Sequence, residues 1–157
     1  MVSLDSIKIP LFADIADELL EKLAKLATLE RYADGNVIYK RGENASMFYI
    51  LKSGEVILEQ ELGDDVIATT NQLKAGTSFG LSSLTHDSKY KTTAVAKGAC
   101  ELLFISSEEM LSLMQEDTAL GYSLLKPLYD LLLSSLDLRT AQFLQMLTQH
   151  PELKAAL

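Results

Sequence analysis

Between Leu29 and Ile105 the apolar residues fall into a period of two, and glycines break the pattern at short intervals. Tyr32 is followed by Val37 and Tyr39, then by Phe48, Ile50 and the run Val56-Ile57-Leu58, with Gly35, Gly42, Gly54 and Gly63 as punctuation. Short alternating segments separated by glycines call for a small antiparallel barrel or sandwich. Leu62-Gly63-Asp64-Asp65 reads as a hairpin turn joining Glu55–Glu61 to Val66–Thr70. Two further strands, around Thr92–Ala96 and Cys100–Ile105, are expected to join across Lys97-Gly98.

Helical spacing flanks this β region on both sides. Ile15, Leu19, Leu20, Leu23 and Leu26 form one stripe on a first amphipathic helix over Asp14–Leu26, with Asp14, Asp17 and Glu18 at its positive end. Ser106-Ser107-Glu108-Glu109 reads as a serine cap and acidic first turn, ahead of Met110, Leu111, Leu113 and Met114. A longer helix follows from about Thr118 to about Gln149, with Pro127 inside it. It carries two apolar stripes: Leu125, Tyr129, Leu132, Leu136 and Phe143 with Met146 or Leu147, and Leu124, Leu128, Leu131 and Leu138. One stripe suffices to pack a helix on its own barrel, so two predict a partner helix and a homodimer; against this, Arg139 and Thr140 interrupt the first stripe, and a helix wedged inside a larger core is also apolar all round.

The totals set bounds on function. A chain of 157 residues is the size of one domain, here read as residues 1–157 with a helical part to about residue 28, a β part over 29–105 and helices over 106–149. The net charge of −8 is spread along the chain with no basic run, so direct nucleic-acid binding is not expected. Cys100 is the only cysteine, which excludes an intrachain disulfide and a cluster ligated by several thiolates. The first ten residues carry neither a basic patch nor a long apolar run, and no segment is apolar over a bilayer's thickness. A cytoplasmic protein without a membrane partner is therefore expected.

One stretch invites chemistry. Ala75-Gly76-Thr77-Ser78-Phe79-Gly80-Leu81-Ser82-Ser83-Leu84 reads as a strand reaching Phe79, a turn at Gly80 and a short helical turn over residues 80–84. Free N–H groups at the start of such a turn attract an anion, and a lysine on the following Lys91-Thr92-Thr93 segment would add its charge. The same residues also describe an ordinary strand end, with glycine in a turn and serine capping it. Neither reading is decided by these residues alone.

The order of the pieces is informative. Pro10-Leu11-Phe12, Tyr32-x-x-Gly35-x-x-Ile38-x-x-x-Gly42-Glu43, Phe48-Tyr49-Ile50-Leu51-x-x-Gly54-Glu55-Val56, Gly76-x-x-Phe79-Gly80 and Cys100-Glu101-Leu102-Leu103 occur at family-like spacing. With these the chain resembles the cyclic nucleotide-binding domain, as in the effector domain of catabolite activator-like proteins, over nearly its whole length. The resemblance implies an α+β fold: an antiparallel β-roll or jelly-roll barrel (a double-stranded β-helix) with an N-terminal helix and C-terminal helices, the last one dimerising. It implies that Phe79, Gly80, Leu81, Ser82, Ser83, Lys91 and Thr92 occupy a phosphate-binding cassette. The family's ribose-binding Glu is Leu81 here, and its phosphate-binding Arg is best matched by Lys91, or by Lys89 if the loop register slips. Losing one charge-assisted hydrogen bond and weakening another lowers affinity on the order of a hundredfold. Tight cyclic AMP binding is not expected, whereas another anion remains compatible with the backbone of the turn.

The resemblance also frames what is missing. Few residues follow the long helix, so no helix-turn-helix DNA reader is expected. The only histidines are His86 and His150, too few for a multi-histidine metal site or for haem ligation as in haem-sensing relatives. Asp64-Asp65 and Glu108-Glu109 are adjacent pairs at a turn and a cap, which face apart and make no catalytic dyad. Two functions stand from the sequence, neither enzymatic and neither with a certain cofactor. One is a sensory or regulatory module that binds a cyclic nucleotide or other anionic ligand and signals through its C-terminal helices. The other is a degenerate fold that binds no ligand and serves as a scaffold for a protein partner.

Overall fold

The computed structural model describes residues 2–63, 66–85 and 88–149; Asp64-Asp65, His86 and His150, singled out above, lie outside them. The period-two segments form six antiparallel strands, β1 (Thr28–Tyr32), β2 (Val37–Tyr39), β3 (Met47–Glu61), β4 (Ile67–Lys74), β5 (Ser78–Phe79) and β6 (Thr93–Ser106). They are ordered β1-β6-β3-β4, with β2 also paired to β6 and β5 to β3. The helices are α1 (Leu4–Ile7), α2 (Asp17–Leu26), α3 (Ser107–Glu116) and α4 (Thr118–Gln149). The fold is therefore α+β, an antiparallel β-roll between N-terminal and C-terminal helices.

Three local expectations are revised. Thr92–Ala96 and Cys100–Ile105 are not separate strands but the two halves of β6, which passes through Gly98 at φ +74° and stays paired to β3 on either side. The amphipathic helix expected from Asp14 is α2 and begins at Asp17, because the 3₁₀ turn Pro10–Phe12 is followed by Ile15 turned into the core, and the short α1 precedes it. Ser106 precedes α3 without a side-chain cap; the Ser107 N–H instead donates to the Ser46 carbonyl at 2.9 Å.

Two apolar clusters result. One joins the helices to one end of the roll, with Ile7, Phe12, Leu20, Leu23, Met110, Leu120 and Leu124 fully or nearly fully buried. The other fills the roll itself, around Tyr39, Tyr49, Leu51, Val56, Phe79 and Tyr90. The second stripe of α4 splits between surroundings: Leu124 and Leu128 are buried in the helical cluster, whereas Leu138 is exposed. Where α3 meets α4, a Cβ on Gly121 would stand 2.6 Å from the Met114 carbonyl oxygen, so only glycine permits that approach.

The α3–α4 junction is tied to the N-terminal helix. Asp117 accepts hydrogen bonds from the Lys22 ammonium on α2 and, at 3.1 Å, from the Leu120 N–H. The Lys22 contact first, and the Leu120 N–H second, hold the Asp117 carboxyl below its ordinary value. A carboxyl whose folded-state pKa lies below the unfolded one stabilises at pH above the unfolded value, about 3.9, and that contribution vanishes as pH falls through the folded value. The gap in urea midpoint between wild type and Asp117→Asn is expected to be widest near neutrality and to close in acid. A gap that does not change with pH would exclude this role.

Candidate functional site

β5 brings the cassette stretch against the start of β3, pairing Phe79 with Tyr49 and Ser78 with Ile50. Gly80 then adopts φ +78°, ψ +26°, the left-handed region that a residue with a Cβ avoids, and the chain enters a 3₁₀ turn over Leu81–Leu84. A Cβ on Gly80 would also lie 2.9 Å from the Met47 carbonyl oxygen and 3.1 Å from the Tyr49 ring. The turn spends one of its own donors, since the Ser83 N–H donates to the Gly80 carbonyl at 2.9 Å. The N–H groups of Leu81 and Ser82, at the start of the turn, have no partner within it.

Side-chain directions separate the residues that the sequence grouped together. Leu81 is partly buried and packs on the helical cluster, away from the aromatic interior of the roll. Ser82 and Thr92 are half-buried, and Lys89 and Lys91 are exposed. The inward residue between those lysines is Tyr90, whose hydroxyl accepts from the Met47 N–H at 3.0 Å and donates to the Met47 carbonyl at 2.9 Å. Around Gly80 the space is aromatic: Tyr39 stacks on Tyr90 at 3.8 Å between centroids, and Tyr49 on Phe79 at 5.1 Å. Burial pushes the Tyr39 and Tyr49 phenols well up, so both stay neutral. Tyr39, Tyr49 and Tyr90 are the site residues that sequence reasoning passed over. Only Tyr39 carried a signal in the alternation; Tyr49 lies in the stretch Phe48–Leu51 that is buried on both faces, opposite Phe48 and Ile50, so period two did not mark it.

Ser83 faces another way. Its hydroxyl is buried with no partner among the described residues, and Ser83 lines a cleft of about 470 Å³ with Asn44, Thr85, Ser88, Lys89, Ser107 and Glu108. The cleft thus joins a cassette hydroxyl to Lys89 rather than to Lys91. Among the described residues no group of His, Cys, Asp or Glu could hold a metal ion. Likewise, no described helix is long and apolar enough to cross a membrane.

Replacing Tyr90 by phenylalanine tests the Met47 clasp. The change leaves a buried N–H and carbonyl unpaired and is expected to lower stability by about 1–3 kcal/mol. Chemical denaturation measures it, and an unchanged midpoint would show the clasp to be dispensable.

Comparison with known proteins now bears directly on this arrangement. Residues 29–117, which span the roll, the cassette turn and α3, match the sequence family described as the cyclic nucleotide-binding domain. The chain belongs to the cyclic nucleotide-binding domain family. A cAMP-dependent protein kinase regulatory subunit from Mucor circinelloides f. lusitanicus is 36% identical over 78 residues, covering 49% of this chain and 18% of that protein. This cyclic nucleotide-binding domain spans less than a fifth of the length of the curated relatives it matches. Thermus thermophilus catabolite activator protein superposes with a TM-score of 0.69 at 27% identity, over 85% of this chain and 63% of that one. A cyclic nucleotide-binding domain from Methylobacillus flagellatus KT shares the fold, with a TM-score of 0.81 at 20% identity over 91% of this chain and 83% of that one.

Proposed function

We propose that this cyclic nucleotide-binding domain is a non-enzymatic regulatory module that acts through α4 and has given up tight cyclic-nucleotide binding at its cassette. The observation that carries this reading is Tyr90. An uncharged phenol, its hydroxyl bonded to both the N–H and the carbonyl of Met47, occupies the inward position between two outward lysines, where an anion would need a cation. Leu81, turned to the helical cluster, offers a ribose hydroxyl no acceptor, and the Ser83 N–H is already spent. The output surface is the exposed face of α4, where Leu125, Tyr129, Leu132, Leu136 and Phe143 stand ready for a second copy or another helix. In this reading the partner is a protein, with self-association through α4 as the first case.

A weak-sensor reading rests on a different observation. The unpartnered Ser83 hydroxyl and Lys89 share one cleft beside the two free N–H groups, which suits a small anion better than a nucleoside. Titration calorimetry with inorganic phosphate, cyclic AMP, cyclic GMP and a cyclic dinucleotide separates the two. The expected result is no saturable heat below about 100 μM, given affinity lowered on the order of a hundredfold or more. Micromolar binding that Lys89→Ala or Lys91→Ala abolishes would overturn the ligand-free reading and establish a sensor.

A further inference from the structure

Where the first half of α4 passes the Pro10–Phe12 turn and the Gly76–Ser78 segment, packing leaves a groove of about 570 Å³. Its volume falls in the range of sites for small organic molecules, about 300–1,000 Å³. It shares no lining residue with the Leu81–Leu84 turn or with the Ser83 cleft. Leu11, Ile15, Tyr122, Pro127 and Leu131 give it apolar walls.

Its polar groups are unbalanced in one direction. Ser78 lines the groove, is 7% exposed, and its hydroxyl has no partner among the described residues. Such a group is rare in a folded protein and points to something that completes it. Ser123 and Pro127 lie on the same wall. Proline has no N–H, so the Ser123 carbonyl lacks the donor that residue i+4 normally supplies in a helix. Asp14 lines the groove with no ion pair or hydrogen bond among the described residues. The one cation lining the groove, Lys126, is bonded to Asp130 at 2.9 Å and also feels the Asp14 charge through space; all three line the groove. Two carboxylates against one committed ammonium leave a net negative charge, with acceptors in excess of free donors.

We propose that this groove binds a small organic cation, a primary amine with an aromatic or aliphatic body. The body lies against Leu11, Tyr122 and Leu131, and the ammonium group is held among acceptors supplied by Asp14, the Ser123 carbonyl and the Ser78 hydroxyl. An anion is refused there, which makes the groove chemically opposite to the cassette. Because α4 forms one wall and the β-roll with the N-terminal turn forms the other, an occupant fixes α4 against the roll without involving the cassette.

The test uses the isotopically labelled whole chain, with amide resonances followed during titration by 2-phenylethylamine, 3-phenylpropionate and 2-phenylethanol. The amine is expected to shift the amides of Gly76, Thr77, Ser78, Tyr122 and Ser123 saturably, and the carboxylate to bind at least about tenfold more weakly. Asp14→Asn, at an exposed position that leaves the core intact, is expected to weaken amine binding about three- to tenfold, as is Pro127→Ala, which restores the helical N–H. Equal response to amine and carboxylate overturns the proposal, as does the absence of saturable shifts at these amides. So does wild-type affinity in both variants. Shifts of the roll-side amides Gly76, Thr77 and Ser78 on diluting the protein alone would show that a second copy fills the groove, and would overturn it too. Nucleotide calorimetry reports on the cassette separately, so either proposal can fail without the other.

Discussion

Gly54→Ala is expected to destabilise the domain by about 2–5 kcal/mol, combining the cost of a left-handed backbone with that of overpacking a closed core. Gly54 sits in β3 at φ +86°, where the register against β6 shifts on either side of Ser53. A Cβ there would come within 2.5 Å of the Ala99 carbonyl oxygen and 2.7 Å of Cys100 Sγ. Neither can yield easily, since Ala99 belongs to the partner strand and the buried Cys100 thiol donates to the Glu55 carbonyl at 2.9 Å. Gly35 is the control: its φ is +76°, but nothing lies within 4 Å of its Cβ position. Gly35→Ala is therefore expected to show the backbone cost alone, about 1–2 kcal/mol. Urea midpoints followed by circular dichroism separate the two, and equal losses at both positions would refute the steric argument.

The second large effect concerns association. Leu125, Tyr129, Leu132, Leu136 and Phe143 are each more than half exposed on α4. The first four follow the alternating four-and-three spacing of a coiled-coil seam, and Arg139 occupies the next seam position before Phe143. We predict that the wild-type chain sediments at twice its 17.3 kDa mass and that the double variant Leu132→Asp/Leu136→Asp sediments at 17.3 kDa. In a symmetric dimer that variant removes four leucine contacts, each worth about 1.5–3 kcal/mol on full burial, so association falls by several orders of magnitude. The fold itself should be unaffected, because neither leucine belongs to the buried cluster. Truncating α4 after Leu124 is a poorer test, since it also removes Leu128 from the core. A wild-type chain that stays monomeric at tens of micromolar would exclude the seam as a dimer interface, the concentration being about that at which a weak helix pair still associates.

The two predictions differ in how far the sequence reaches. Period and punctuation belong to the chain itself, because strand alternation repeats every two residues and helix faces every three to four. Tyr39, Phe48, Ile50 and Val56 were therefore legible as buried positions, although Phe48 and Ile50 face the helical cluster and Tyr39 and Val56 the roll, because the register of β3 shifts around Ser53; Leu125 to Phe143 was legible as a stripe with nothing of its own to cover it. The left-handed turn at Gly80 was legible too, since glycine before a serine-rich turn has few other uses.

Orientation beyond the Leu81–Leu84 turn was not legible. Whether Lys89, Tyr90 or Lys91 turns inward depends on parity carried across residues 85–90, and a slip of one residue exchanges the faces. Tyr90 faces in because its ring stacks on Tyr39 and its hydroxyl meets the Met47 backbone, contacts between segments far apart in the chain. Leu81 likewise turns to a helical cluster that exists only after α2, α3 and α4 have packed together. Local periodicity in the sequence determined an antiparallel β region, its flanking helices and the apolar face of α4, and the spaced family motifs implied that the β region is a roll. Tertiary structure alone decided which cassette groups are spent, which residue fills the anion's place, and that an acidic groove opens under α4, because each depends on where non-adjacent segments meet.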